Sequence, residues 1–355
     1  MKNFSCTRCG NRLFFENVTC VVCGSPVGFD SETLSTQTLE SAGQPGLYRR
    51  LNFNGPDVHY CANAEHGACN WIVPSNGQSP WCVACELNRT IPNLSEPGSL
   101  PAWTRLERAK KRLVYSLLRM GLPIDSASTG RLTFDFLRDA VTGHEDGVIT
   151  IDVMEADSVE RERQREQLGE PYRSLLGHVR HESGHFYWQV LVADGGRIEE
   201  FRDMFGDERE DYATALSRHY SYGAPVDWQL RHVSAYASAH PWEDWAETWA
   251  HYLHMLEALD TAAAENMEPR PEGEPLIPIE DVYRCKDFDS LLARWLPLTV
   301  ALNRLSRSMG HADFYPFVIS EAAREKLRFV HRVVTEPNLP RREPFNQPMA
   351  TDAVS

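Results

Sequence analysis

The chain has 355 residues, 42% of them hydrophobic and 24% charged, a balance that supports packed domains and excludes disordered, fibrous and collagen-like chains. Its net charge of −14 argues against nucleic acid as a main partner, because proteins that grip phosphate backbones carry a basic face. No stretch approaches the roughly 18 consecutive apolar residues that a membrane helix needs, so no membrane association is expected.

The opening MKNFSCTRCGNRLFF lacks the apolar core and cleavage site of a signal peptide. The expected location is therefore the cytoplasm, where clustered cysteines stay reduced and read as metal sites before disulfides. Eight of the nine cysteines fall within residues 1–95. Cys6-x2-Cys9-Gly10 and Cys20-x2-Cys23-Gly24 can present four thiolates tetrahedrally to zinc. A glycine after each pair suits a sharp turn at positive φ. The segment between the pairs, with Leu13, Phe14 and Phe15, reads as a short hairpin. Cys61-x7-Cys69 and Cys82-x2-Cys85 form a second set. His66 could replace one thiolate there, but four cysteines are the favoured ligands. Four protein ligands leave no open position, so both sites read as structural. Cys285 reads as a part-buried thiol.

Asn93 to Pro101 has the composition of a linker. Beyond it, Trp103 to Met120 has helical spacing of Leu106, Ala109, Leu113 and Leu117, and Gly121-Leu-Pro stops it. The basic run from Arg105 to Arg119 in this helix reads as a solvated face. Gly147 to Met154 is β-branched and partly alternating, which predicts a strand. Helices are predicted over Tyr172–Val190, Asp211–Tyr220, Trp242–Leu259, Phe288–Met309 and Ser320–Val334. A flexible tail is expected over residues 336–355.

The Tyr172–Val190 helix carries His181-Glu182-Ser-Gly-His185. Residues i and i+4 share a helix face, so both imidazoles can reach one metal ion. Glu182, offset by about 100°, can serve a water molecule there as general base. The apolar flanks Leu175, Leu176, Val179, Phe186 and Val190 mark a mostly buried helix, on which two histidines and a glutamate would be costly without partners. A third ligand is needed, and position 191 is Leu. The candidates lie in the Trp-rich helix, where Glu243 and Glu247 share a face and Ala246 and Ala250 permit close approach. One carboxylate can ligate the metal and the other can orient a histidine through its second nitrogen. His178 reads as flanking the site, His240 as a residue that could help bind a substrate oxygen, His251 and His254 as helix-surface or core residues, and Trp242, Trp245 and Trp249 as packing residues.

Glu-x-x-Ala-Glu downstream of HExxH resembles the gluzincin arrangement. That resemblance implies Glu243 as third ligand and Glu247 as its outer partner. Tyr236, seven residues before Glu243, is similar in placement to the oxyanion-stabilising tyrosine of lethal-factor-like metallopeptidases. The stretches 176–188, 201–208, 211–216 and 233–254 resemble the bacterial zinc-binding metallopeptidase family with an N-terminal zinc ribbon. The implied fold is α+β: a zinc-ribbon module over 1–95, then a mainly helical zincin-like metallopeptidase domain with a small sheet over 102–335. The implied cofactors are one catalytic and two structural zinc ions. The implied function is a peptidase acting on a peptide or protein substrate, with a protein partner bound through the ribbon. The alternative is an interaction module with a non-catalytic HExxH metal site.

Overall fold

The computed structural model describes residues 1–126, 128–168, 174–269 and 279–337. Predictions that fall on Tyr172, Arg173 and the tail beyond 337 lie outside the described residues. The first short strands, β1 (Phe4–Ser5) and β2 (Arg12–Leu13), pair antiparallel around the Cys6–Cys9 turn. The chain then makes a closed five-stranded barrel of β3 (Val27–Asp30), β4 (Ser35–Ser41), β5 (Tyr48–Arg50), β6 (Val58–Tyr60) and β7 (Trp71–Pro74). Closure comes from a parallel pairing of β3 with β7. The sequence pattern does not announce this barrel. The buried positions of β4 include Thr36 and Thr38, so its inward face carries polar letters.

Next comes β8 (Asn88–Thr90), then α1 (Ser99–Met120), capped by Gly121 at φ +68°. A two-stranded pair, β9 (Asp125–Ser126) with β10 (Gly130–Arg131), leads into β11 (Thr133–Leu137), β12 (Gly143–Glu145) and β13 (Val148–Asp152). These last three form a four-stranded sheet with β8, in the order β12-β13-β11-β8. Only β12 runs antiparallel to its neighbour. The helices that follow are α2 (Ser158–Leu168), α3 (Leu175–Trp188), α4 (Ile198–Phe205), α5 (Tyr212–Tyr222), α6 (Pro241–Ala264), α7 (Phe288–Ser308) and α8 (Glu321–Thr335). The helices read from sequence match α1 and α3 to within a few residues and α5, α7 and α8 closely, while α6 runs five residues beyond the expected Leu259. Asp211, Asp287 and Ser320 cap α5, α7 and α8 with their side chains. Among the described residues no helix is long and apolar enough to cross a membrane.

The core is one continuous cluster. It runs from Phe29 and Trp71 of the barrel through Leu113 and Tyr115 of α1 to Trp245 and Trp249 of α6 and Val330 of α8. The solvated-face reading of α1 is corrected here. Lys110, Lys111 and Arg119 are buried. Lys110 Nζ lies 2.8 Å from Glu107 Oε1 and Lys111 Nζ 3.2 Å from Glu107 Oε2. Both lysines thus turn inward to share one buried carboxylate, which a charge count along the sequence does not reveal.

Candidate metal centre

Ser174 caps α3 by accepting from Gly177 N at 3.0 Å. The helix then lies directly against α6. A Cβ on Gly184 would stand 2.9 Å from Ala246 Cα, so only glycine permits this approach. Trp245 Nε1 donates to Gly184 O (2.8 Å) and Trp249 Nε1 to Ser183 Oγ (3.0 Å), which pins the two helices in register. Pro241 starts α6, and Glu243 sits in its first turn.

This packing brings the site together. His181 Nε2 is 3.0 Å from Glu243 Oε2, and His185 Nε2 is 3.6 Å from Glu243 Oε1. Donor atoms of His181, His185 and Glu243 all lie within 4.8 Å of one another. On the far side of the ring, His181 Nδ1 is 2.7 Å from Glu247 Oε1. Ser234 Oγ donates to Glu247 Oε2 at 2.6 Å. A proton on Nδ1 shared with Glu247 leaves the Nε2 lone pair facing Glu243. His181, Glu182, His185 and Glu243 are only 8%, 8%, 5% and 1% exposed.

Burial pushes the Glu182 carboxyl up to about 7, with the Glu243 charge adding to the rise and His181 opposing it. Burial also opposes ionisation of Glu243 and Glu247, yet the neighbouring imidazoles win and hold both at about 2. His181 feels the same pairing from the other side. Burial would lower it, but its two carboxylate partners raise it well above its ordinary value. Position and electrostatics therefore favour a cation between these groups. Two imidazole nitrogens and one carboxylate also match the donor set of a three-ligand zinc site that keeps one position open. His185 Nδ1 is buried with no hydrogen-bond partner among the described residues, whereas a ligating histidine usually donates from that nitrogen.

Tyr236 lies in a short 3-10 turn, its ring centroid 5.9 Å from that of His181. Burial and the Glu243 charge raise its hydroxyl pKa, so it stays a donor. Sequence reasoning missed Tyr212, whose hydroxyl donates to Glu243 Oε1 at 2.7 Å; its place beside the cap Asp211 was the available signal. His178 Nδ1 bonds the buried Glu155, which also accepts from Thr142 Oγ1 at 2.5 Å. His240 is a cap: its Nδ1 accepts from Trp242 N and its Nε2 donates to Glu210 O. His251 meets the Tyr315 hydroxyl at 2.7 Å, and Arg180 donates to His254 Nδ1 at 2.5 Å. Trp242 packs 4.6 Å from His185.

The cysteines gather as two groups of four, Cys6, Cys9, Cys20 and Cys23, and Cys61, Cys69, Cys82 and Cys85. The Sγ atoms of Cys6 and Cys23, and of Cys9 and Cys20, are 3.6 Å apart; those of Cys69 and Cys82 are 3.7 Å apart. A tetrahedron with zinc–sulfur bonds of about 2.3 Å has edges of roughly 3.8 Å, so both groups fit zinc. A disulfide, at about 2 Å, is ruled out at these distances. Gly10 and Gly24 take φ of +74° and +70°, and their N–H groups donate back to Cys6 O and Cys20 O. His66 pairs with Glu65 instead of joining the second group. Cys285 is half-buried near Asp287.

Fold and site together define a protein with three candidate zinc centres, one of them built on HExxH. Two family models match: "Putative zinc-binding metallo-peptidase" over residues 99–333 and a zinc-ribbon domain over residues 3–96. Uncharacterized proteins of Mycobacterium bovis and of two strains of Mycobacterium tuberculosis are each 42% identical over 350 residues, covering 95% of this chain and 96% of the relative. No solved structure matches it. The chain belongs to this zinc-binding metallo-peptidase family.

Proposed function

We propose that the protein is a zinc-dependent peptidase that cleaves peptide or isopeptide bonds, with His181, His185 and Glu243 holding the catalytic ion. The observation that carries this reading is the double pairing of His181, to Glu243 at Nε2 and to Glu247 at Nδ1. A merely packed histidine needs neither arrangement on so buried a helix. A zinc ion in that donor set polarises a carbonyl and brings the pKa of water toward roughly 7.

The remaining chemistry belongs to the chain. Glu182 is next to His181 on the helix and its raised pKa is matched to proton exchange near neutrality. It takes the proton of the attacking water and later gives it to the leaving amine. Tyr236 donates to the oxyanion that forms. Glu247 and Ser234 keep the His181 ring in its working orientation. The two tetracysteine groups each hold a structural zinc, and the ribbon surface is where a protein partner would dock.

Metal analysis tests the assignment: three zinc ions per chain are expected, falling to two in His181→Ala. Glu182→Gln is expected to retain all three and to lose hydrolysis by a factor of at least about 100. Wild-type turnover in that variant sinks the mechanism.

A further inference from the structure

The four groups at the centre of the site are each less than a tenth exposed. Beside them runs the 27-residue excursion 206–232, which meets the site through Tyr212 on Glu243 and His219 against Tyr236 and in which only Ala215 is buried. Segments with so few buried apolar contacts open at low cost.

The excursion is tied at both feet. At the first, Arg202 holds Glu208 (3.0 and 2.6 Å) and His240 Nε2 donates to Glu210 O (3.1 Å). At the second, Lys326 donates to Arg231 O (2.8 Å) and His232 meets Asp244 (3.0 Å). Between the feet stands α5. Among the described residues, the side-chain hydrogen bond from α5 to the body of the protein is that of Tyr212 to Glu243. Ring contacts add to it, with Tyr212 against His240 (5.2 Å) and His219 against Tyr236 (5.8 Å). The outward surface is unusually apolar: Tyr220, Tyr222, Val226 and Leu230 are 62–99% exposed. Such side chains next to a site serve a polypeptide better than they serve water.

We propose that residues 206–232 form a flap over the metal centre, latched shut by the Tyr212 hydroxyl on Glu243, and that an extended polypeptide reaches the site only when α5 lifts. Tyr212 is thus a positioning residue with two effects. It holds α5 down, and it engages one oxygen of Glu243 so that the other faces His181. The proposal rests on the zinc reading only for the identity of what the flap covers.

Hydrogen exchange read by mass spectrometry on the zinc-loaded full chain tests the latch. Losing a hydrogen bond to a charged acceptor shifts an equilibrium about tenfold or more. Tyr212→Phe should therefore speed amide exchange across 211–230 by about that factor, with α3 and α6 unchanged. Tyr222→Phe, on the exposed side of the same helix, should change nothing. Stopped-flow association, followed by intrinsic tryptophan fluorescence, should show a hydroxamate-ended tripeptide binding Tyr212→Phe about tenfold faster and acetohydroxamate binding both proteins alike. Equal exchange in wild type and Tyr212→Phe, or the same acceleration in Tyr222→Phe, overturns the latch. A flap that loosens as expected in a protein that binds neither hydroxamate keeps the latch and removes the zinc reading instead.

Discussion

The two tetracysteine groups share a sulfur geometry and differ in everything around it. In the first, Cys6 and Cys20 are buried while Cys9 and Cys23 are exposed. In the second all four are buried, and α1 brings charge to them. Lys111 Nζ donates to Ala68 O, in the loop that carries Cys69, and stays charged against burial through Glu107 and the nearby sulfurs. Cys85 Sγ lies 3.9 Å from Glu107 Oε2. Four thiolates around one zinc carry a net charge of about −2, which water can screen at the first group and cannot at the second. The buried lysines supply in the interior what solvent supplies at the surface. Burying such a site thus requires cations placed in advance by a neighbouring helix.

The largest effect is expected from the ligands themselves. Structural zinc contributes about 10–16 kcal/mol to small metal-dependent folds, as much as the whole net stability of a domain, roughly 5–15 kcal/mol. Cys82→Ser should abolish the cooperative thermal melt of the full chain, because all four ligands of its group are buried, whereas Cys9 and Cys23 lie at the surface. Cys9→Ser should lose the first zinc and keep the melt of the rest. Equal damage from both variants, in calorimetry with zinc analysis, would break the comparison.

A smaller effect is expected from Lys111→Met, which keeps the volume and removes one of the two cations on Glu107. Breaking a buried pair costs about 3 kcal/mol. The urea midpoint should fall accordingly, and a chelator should strip the second zinc about tenfold faster or more. Lys111 is not among the groups that act on the thiols of the first group, so its release rate should not move.

The smallest effect concerns pH. In protein that has lost only the first zinc, hydrogen bonds from Ser25 lower the Cys23 thiol to about 6. Its thiolate is then nearly complete above neutrality, and alkylation should barely change between pH 7 and 8. An ordinary thiol, near 8.5, would speed up roughly eightfold over that interval. Cys82, buried in the second group with its zinc retained, should react last. A steep rise at Cys23 would show that its environment is no different from water.

The parts of the molecule that were legible in sequence are those where chemistry demands fixed spacing. His181 and His185 must stand one turn apart, and Cys6–Cys9 and Cys20–Cys23 must close on one ion. The glycine stop at 121 and the caps at Asp211 and Ser320 are equally local. What was hidden depends on contacts between distant segments. The barrel turns polar residues such as Thr38 inward, the lysines of α1 turn toward Glu107, and Tyr212 meets a carboxylate 31 positions away. Only the packed chain decides these, and Glu247 was recognisable because a resemblance, not its spacing alone, assigned its role.

One consequence follows from the placement of β8. This strand starts three residues after Cys85, yet it hydrogen-bonds β11 and forms the border of the sheet beneath α3. Arg89 ties it to Asp135. Cutting the polypeptide ahead of α1 to isolate the region of the HExxH centre would strip β11 of this neighbour and leave a row of open backbone donors and acceptors, an invitation to aggregate. A segment meant to carry the metal centre alone should therefore start before β8.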